Sequence, residues 1–289
     1  MAPDRPIGGE SGHTWGSPVA FAPVPRVRVD TLLAERGLFA SRSRAAASVM
    51  AGEVRLGSDG RRASKPGQLV ERDVALAIDE RPRFVSRGGL KLAHALDALA
   101  IDAAGRSCLD LGASTGGFTD CLLQRGAERV IAVDVAYGAL DWRLRNDTRV
   151  TVLERTNARA LAPGTLPYAP DLIVLDLSFV SLTKVLPAML GCAAPRFDAL
   201  AMVKPQFEVG RERVGKGGVV REPADRRAAL VAVATAAREI EPARPAVLGF
   251  ASSGLPGPKG NQETFAWLAE AGRAGAVQDI EAAAREVEP

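Results

Sequence analysis

The chain has only two histidines, His13 and His94, among its 289 residues. This inventory nearly excludes a metal site or a general base built from histidine. The three cysteines, Cys108, Cys121 and Cys192, show no ligand-like spacing, and two of them lie in apolar or helical runs. Unpaired thiols of this kind are typical of a reducing compartment, so we expect a cytoplasmic protein whose chemistry uses lysine and carboxylate side chains.

Long apolar runs are also missing. No stretch approaches the ~20 apolar residues that a membrane-spanning helix needs. Residues 1–25 are rich in Gly, Pro, Ser and Ala, lack helical or strand periodicity, and hold no apolar run long enough for the core of a signal peptide. We therefore expect a disordered extension there and no association with a membrane.

Positive charge is concentrated near the N-terminus. The whole chain carries a formal net charge of +3, yet between Arg26 and Arg83 twelve Lys and Arg stand against eight Asp and Glu. A basic surplus within one small segment favours nucleic-acid binding, although any single arginine is about as often part of a solvated surface. The basic residues that we expect to contact RNA here are Arg36, Arg42, Arg44, Arg55, Arg61, Arg62 and Lys65.

Capping signals predict the elements of this basic segment. Asp30 is a suitable N-cap for a short helix that ends at Gly37, and Ser41 precedes a second helix over residues 42–51. A strand at 54–56 is expected to pair with residues 74–78. These elements make a small α+β module. We divide the chain into an extension, this module, a linker, a larger domain and a C-terminal tail: residues 1–25, 26–80, 81–85, 86–275 and 276–289.

The larger domain alternates apolar runs with helical stretches, which predicts a doubly wound parallel sheet. In such sheets ligands bind outside the carboxyl ends of the strands, so the residues that follow each strand are the ones to consider. The expected strands are residues 107–111, 130–135, 150–153, 172–175, 200–203 and 246–251.

A small-residue turn follows the first of these strands, at residues 112–118, and opens a helix. Such a turn lets backbone amides approach a nucleoside, and Asp134 after the second strand is placed to bind ribose hydroxyls. No G-x-G-x-x-G fits the spacing, so S-adenosylmethionine fits better than NAD. Glycines at such a turn also occur for tight packing alone. The expected cofactor-binding residues are Gly112, Ala113, Ser114, Gly116, Gly117, Phe118, Asp134, Asn157 and Asp176.

Lysines and carboxylates form the second candidate set. Asp176 follows the fourth strand and Lys204 the fifth, and a lysine that ends an apolar strand is an uncommon choice for mere packing. Methyl transfer to a ribose hydroxyl requires a group that positions and deprotonates a weakly acidic alcohol. Taken alone, Lys91 or Glu263 is better interpreted as part of a surface ion pair than as a catalytic residue.

Several motifs resemble the TlyA family of ribosomal RNA 2′-O-methyltransferases, whose members are often named hemolysins. They are SRGGLKL at 86–92, LDLGASTGGFT at 109–119, DLSF at 176–179 and KPQFE at 204–208. Residues 29–45, VDTLLAERGLFASRSRA, are similar to the alpha-L RNA-binding domain. The resemblance covers residues 26–271. It implies a Rossmann-like class I S-adenosylmethionine methyltransferase sheet of the FtsJ-like type behind a small N-terminal α+β RNA-binding domain.

The same resemblance implies roles for individual residues. Lys91, Asp176, Lys204 and Glu263 match the family's catalytic tetrad, with Lys204 as the base and a cytidine ribose in ribosomal RNA as the expected substrate. No metal is implied. Residues 210–221, GRERVGKGGVVR, match as well and add a basic segment after Lys204, in which Arg211 and Lys216 are expected to contact RNA.

Three other functions compete with this interpretation. An RNA base N-methyltransferase is the nearest, because residues 176–179 resemble an acidic-aromatic motif that grips an exocyclic amine, although they lack its prolines. A membrane-active hemolysin would need a membrane-active segment, which we do not find. A non-catalytic RNA-binding protein would have no use for the tetrad.

Overall fold

The computed structural model describes residues 25–79 and 82–288. The chain divides into two compact units, Met1–Arg81 and Pro82–Pro289. The extension expected at residues 1–25 lies outside the described residues, apart from Pro25. Within the described ranges no helix is both long enough and apolar enough to cross a bilayer.

The N-terminal unit is a small α+β structure. Its elements are β1 (Arg26–Arg28), α1 (Val29–Glu35), α2 (Arg42–Met50), β2 (Val54–Leu56), β3 (Arg61–Arg62), β4 (Leu69–Glu71) and β5 (Leu76–Ile78). Strand β2 lies between β3 and β5, which confirms the predicted pairing of residues 54–56. The β1–β4 pair was not predicted. Val29 and Leu33 of α1, Ala45 of α2, and Val54 and Leu56 of β2 are fully buried, so both helices cover the strands with apolar side chains.

A seven-stranded sheet organises the C-terminal unit. Its strands are β6 (Ser107–Leu111), β7 (Arg129–Val133), β8 (Val150–Leu153), β9 (Leu172–Leu175), β10 (Asp198–Val203), β11 (Ala246–Ser252) and β12 (Thr264–Ala269). The order is β11-β12-β10-β9-β6-β7-β8. The five strands from β10 to β8 are parallel, whereas β12 runs antiparallel to both of its neighbours. The predicted strands are therefore found, and the last of them, β11, runs in the same direction as the five parallel strands, but it pairs only with the antiparallel β12, which was missed.

Helices cover both faces of this sheet. They are α3 (Arg87–Ala98), α4 (Gly117–Gln124), α5 (Trp142–Arg145), α6 (Leu186–Cys192), α7 (Pro205–Glu208), α8 (Pro223–Arg238) and α9 (Ile280–Val287). Because side chains alternate along a strand, Leu109 and Ile173 contribute to one apolar cluster and Cys108 and Leu172 to the other. Helices α6, α8 and α9 pack on the first face and α3 and α4 on the second. This is the doubly wound α/β arrangement that the alternating pattern predicted.

The C-terminal segment differs from the tail expected at residues 276–289. Helix α9 begins with an N-cap at Asp279, whose side chain accepts a hydrogen bond from Ala282 N. Its Ile280 and Ala284 are buried in the core cluster of the first face. The buried Glu288 carboxylate accepts hydrogen bonds from Thr264 Oγ1 at 3.1 Å and from Arg226 Nε at 2.8 Å. The segment is thus part of the domain, because its apolar stripe completes the core.

Candidate active site

Lys204 and Asp176 form an ion pair at the carboxyl edge of the sheet. Asp176 directly follows β9 and Lys204 directly follows β10, and these strands are parallel neighbours, so their ends lie side by side. Lys204 Nζ lies 2.5 Å from Asp176 Oδ1, and it donates a second hydrogen bond to Ser178 Oγ at 3.0 Å. The Lys204 side chain is only 10% exposed. Its amine is therefore held at a defined point by two oxygens.

A second lysine–carboxylate pair lies in the same region. Lys91 on α3 donates to Glu263 Oε2, and the two side chains are 7% and 3% exposed. Glu263 immediately precedes β12, whose first residue, Thr264, pairs with Val203 of β10. Because β12 is antiparallel, its beginning lies at the edge where the parallel strands end. This places Glu263 beside the residue that follows Val203, which is Lys204.

All four residues of the expected tetrad line one cavity of about 830 Å³, which we call the catalytic cavity. Its wall also contains residues from α3 and from the turn after β6, together with Lys259 and Asn261 from the loop before β12. Asn261 links this loop to the basic segment at 210–221: its Nδ2 donates to Gly218 O at 2.8 Å and its Oδ1 accepts from Val220 N at 2.9 Å. The cavity is therefore bounded by loops that are fixed to one another.

The turn after β6 is shaped by left-handed backbone. Gly112 has a φ of +89° and Gly116 one of +97°. A Cβ at residue 112 would lie 2.5 Å from the carbonyl oxygen of Asp176, and one at residue 116 would lie 2.3 Å from Leu144 Cδ1. These glycines are thus required by the protein's own backbone conformation and packing.

A second cavity, of about 930 Å³, adjoins the turn on the side of β7; we call it the nucleoside cavity. Gly112, Ser114 and Asp176 line both cavities, whereas Asp134 and Asn157 line the second. Ala113, Gly117 and Phe118 line the catalytic cavity. Gly116 lies outside the lining of either.

Asp134 and Asn157 are already engaged in local hydrogen bonds. Asp134 Oδ2 accepts from Ser114 N and its Oδ1 accepts from Ala136 N, both at 2.7 Å. These bonds hold the carboxylate against the turn, and carboxylate oxygens retain further lone pairs for a ligand hydroxyl. Asn157 Oδ1 accepts from Arg159 N at 3.0 Å and so caps a short 3₁₀ turn.

Other residues of the site were not identified from the sequence. Phe179 is 92% exposed, has a φ of +65°, and lies with its ring centroid 5.4 Å from that of Phe207. Glu208 accepts from Ser181 Oγ at 2.6 Å and from Leu182 N at 2.8 Å, and burial raises the pKa of its carboxyl. Their position in the sequence could have identified them, because Phe179 follows Asp176, and Phe207 and Glu208 follow Lys204, within four residues.

Asp110 is a further buried acid near the turn. It lies on β6, is fully buried, and accepts a hydrogen bond from Thr119 Oγ1 at 2.7 Å. Burial raises its pKa to about 7, and the bond from Thr119 acts in the opposite direction. Within the described part of the chain, its Oδ1 has no hydrogen-bond partner.

The basic residues of the N-terminal unit fall into two groups. Four of the seven expected RNA contacts bind acceptors of their own unit. Arg36 donates to Val74 O at 2.8 Å, Arg42 Nε to Asp30 Oδ2 at 3.1 Å, and Arg55 Nε to Asp79 Oδ1 at 2.6 Å, with Arg62 4.0 Å from the same carboxylate. Arg44, Arg61 and Lys65 have no side-chain partner within residues 25–79 or 82–288.

Arg42 in particular has a structural role that the sequence did not indicate. The Asp30 carboxylate is buried between Arg28 and Arg42, and α1 begins at Val29 rather than being capped by Asp30. The Arg28 guanidinium, followed by that of Arg42, holds the pKa of Asp30 well below its usual range. In the basic segment of the other unit, Arg211 lines the nucleoside cavity, while Lys216 is an exposed residue whose carbonyl accepts from Arg221.

Comparison with known proteins adds to this geometry. Residues 84–268 match the FtsJ-like methyltransferase family, a range that includes both lysine–carboxylate pairs. The 16S/23S rRNA (cytidine-2′-O)-methyltransferase TlyA of Mycobacterium tuberculosis is 53% identical over 245 residues, which are 84% of this chain and 90% of that protein. The chain belongs to the TlyA family of FtsJ-like methyltransferases.

Two more relatives extend the comparison. The Bacillus subtilis protein YqxC, named as an rRNA methyltransferase, is 48% identical to this TlyA-family chain over 198 residues, 68% of this chain and 70% of that one. A solved structure of a hemolysin-named protein from Streptococcus thermophilus is 37% identical with a TM-score of 0.66, and the match covers 91% of this chain and 96% of that chain. The TlyA-family fold thus carries both kinds of name.

Proposed function

We propose that this protein transfers a methyl group from S-adenosylmethionine to the ribose 2′-hydroxyl of a cytidine in ribosomal RNA. The observation that carries the proposal is the buried Lys204, held by Asp176 and Ser178 at the edge of the sheet where both cavities meet. The TlyA protein of Mycobacterium tuberculosis, named for this reaction on 16S and 23S rRNA, supports the substrate class. Ribosomal RNA as substrate implies work in the cytoplasm.

The residues around the turn suit the cofactor. Asp134, fixed by two backbone amides, offers its remaining lone pairs to the ribose hydroxyls of a nucleoside, and Asn157 lines the same cavity. Gly112, Ser114 and Asp176 line both cavities and so lie between the proposed cofactor site and the proposed base. When bound, S-adenosylmethionine supplies a methyl group on a positively charged sulfur, which is already activated for transfer.

The protein's task is then to prepare the alcohol. The Lys204 amine accepts the proton of the 2′-hydroxyl as the ribose oxygen bonds to the methyl carbon and the carbon–sulfur bond breaks, and the resulting ammonium pairs with Asp176. Asp176 and Ser178 hold the amine in line with its target. The Lys91–Glu263 pair forms the neighbouring wall and fixes the end of β12 next to Lys204.

We assign RNA binding to the cations whose side chains have no partner within residues 25–79 or 82–288. Arg44, Arg61 and Lys65 in the N-terminal unit and Arg211 and Lys216 after α7 are available for phosphate contacts. Arg36, Arg42, Arg55 and Arg62 retain part of their donor capacity but are first of all held by their own unit. We therefore expect Arg44, Arg61, Lys65, Arg211 and Lys216 to contribute most of the electrostatic free energy of RNA binding.

The decisive experiment is transfer of labelled methyl from S-adenosylmethionine to purified ribosomal subunits from a host that lacks the modification, followed by alkaline hydrolysis of the RNA. We expect the label in alkali-resistant dinucleotides, because a 2′-O-methyl group blocks cleavage of the next phosphodiester bond. Label in mononucleotides would assign base methylation instead. If the protein bound the RNA but transferred no methyl group, it would be a non-catalytic RNA-binding protein. Lys204→Ala is the matched control.

A further inference from the structure

Gln206 has an unusual side chain at the junction of the two cavities. It lies on α7, two residues after Lys204, and lines both the catalytic cavity and the nucleoside cavity. Its Oε1 is buried, yet it has no hydrogen-bond partner among the residues that the structure describes. A buried carbonyl oxygen without a hydrogen-bond partner lowers stability, because it has lost its contact with water and gained none in return.

The surroundings explain why the amide stays in place. Helix α7 is anchored by Glu208, which accepts hydrogen bonds from Ser181 and Leu182 on the loop after β9. Pro205 restricts the backbone at the first turn of α7, between Lys204 and Gln206. Gln206 is thus held two residues along the chain from the proposed base, in the wall that the two cavities share.

Two aromatic rings indicate which ligand this is. Phe207 follows Gln206, and Phe179, with 92% of its surface exposed, lies against it at a centroid distance of 5.4 Å. Exposed aromatic rings beside an enzyme's reacting atoms are typical platforms for an unstacked nucleobase, whose edge is then read by polar side chains. A primary amide offers a donor and an acceptor side by side, which matches the N3 and N4 positions of cytosine.

We propose that Gln206 reads the Watson–Crick edge of the target base, with Oε1 accepting from the exocyclic N4 amine and Nε2 donating to N3. This inference rests on the proposed function and adds a specificity-determining residue to it. Uracil presents its oxygen and its N3–H in the opposite order, so, with the amide in this orientation, it meets Gln206 with acceptor against acceptor and donor against donor. The site then favours cytidine over uridine.

The test compares Gln206→Met, which keeps the size of the side chain and removes its polarity, with the wild-type protein. Once the methylated nucleotide has been mapped, ribosomal subunits are prepared with either C or U at that position, and kcat/KM is measured for both. The wild type is expected to prefer C by at least about 10-fold. In Gln206→Met the rate on C is expected to fall about 10- to 100-fold and the preference to disappear.

One further measurement and two further variants complete the test. Affinity for S-adenosylmethionine, measured by calorimetry, is expected to be unchanged in Gln206→Met, and a loss there would assign Gln206 to the cofactor and overturn the proposal. Gln278→Met, at an exposed residue that lines neither cavity, is the control and is expected to match the wild type. Gln206→Glu, which keeps the shape but lacks the donor to N3, is used if the Met variant does not fold.

The remaining outcomes also separate this proposal from the previous one. An unchanged C-to-U ratio in Gln206→Met, or a wild type without any preference, would overturn the reading of the base by Gln206 while methylation itself stands. If the wild-type protein transferred no methyl group to any RNA, the proposed function itself would be overturned.

Discussion

Val203 and Thr264 are register partners across the antiparallel strands β10 and β12. Lys204 directly follows Val203 and Glu263 directly precedes Thr264, so this one backbone pair brings together two polar side chains that are 59 positions apart in the chain. The geometry of the catalytic cavity therefore depends on this register. A slip of one residue would turn Glu263 to the opposite face of the sheet.

Lys204→Ala should separate catalysis from cofactor binding. We expect methyl transfer to fall by about 10²–10⁴-fold, the usual contribution of a general base, with the dissociation constant of S-adenosylmethionine nearly unchanged. Asp134→Ala should show the reverse order, weakening the cofactor first. Calorimetric titration and a radiolabel assay on the same preparations measure both quantities. Equal losses of cofactor affinity in the two variants would contradict this division of roles.

Breaking the Lys91–Glu263 pair should cost stability as well as activity. Both side chains are almost fully buried, so Glu263→Gln leaves a lysine without its countercharge, and we expect the free energy of unfolding to fall by about 3–5 kcal/mol. The double variant Lys91→Met with Glu263→Gln should recover most of that stability and remain inactive. Denaturant unfolding of the single and double variants checks this. Recovered activity in the double variant would show that the pair serves the fold alone.

Phe179→Ala should affect the RNA substrate and little else. The ring is almost fully exposed, so its removal is expected to leave the melting temperature and the cofactor affinity near those of the wild type. Loss of one stacking surface should lower kcat/KM for ribosomal RNA by about 10- to 100-fold. Trp142→Ala, which removes another exposed aromatic side chain outside both cavities, is the control.

Asp110 should give the stability of the C-terminal unit a recognisable pH dependence. Its folded-state pKa of about 7 lies above the ordinary value of 3.8, so between these two pH values the folded state binds more protons than the unfolded state. Its contribution to stability therefore decreases as pH rises from about 4 to about 7 and then levels off. Asp110→Asn should remove this component. Melting temperatures of both proteins from pH 4 to pH 9 test it, and parallel curves would rule it out.

Arg44 and Arg42 should behave differently although only one residue separates them. Arg44 has no side-chain partner in the described chain, so Arg44→Glu is expected to weaken RNA binding and lower the salt slope by about one unit or slightly more. Arg42 is bound to the buried Asp30, so Arg42→Glu is expected to destabilise the N-terminal unit. Filter binding at several salt concentrations, together with thermal unfolding, distinguishes the two. A loss of stability in Arg44→Glu would contradict the assignment.

The sequence was sufficient to place one half of the catalytic cavity. Asp176 and Lys204 each end an apolar run in parallel strands, and such ends converge by the geometry of the sheet. Glu263 followed no such rule, because it precedes an antiparallel strand and only the pairing of β12 with β10 reveals its position. Its role was available solely from the resemblance.

Arginine partners were likewise beyond the sequence. A run of basic residues in the sequence shows where positive charge is concentrated. It does not show that Arg42, and not Arg44, binds the Asp30 carboxylate, which lies 12 to 14 residues earlier in the chain. The same holds for Gln206, whose significance comes from a hydrogen bond that it does not make. Periodicity gives the position of a side chain in an element, whereas its partners come from tertiary packing.

The contact between Gly112 and the carbonyl of Asp176 has a consequence for reading related genomes. Any side chain at position 112 would place its Cβ too close to the backbone carbonyl of Asp176. A descendant that had abandoned methylation would keep this glycine as faithfully as an active enzyme does. Persistence of the glycine turn in a distant homologue is therefore evidence of an intact sheet, and enzymatic activity has to be judged from the polar residues that line the catalytic cavity, such as Lys204.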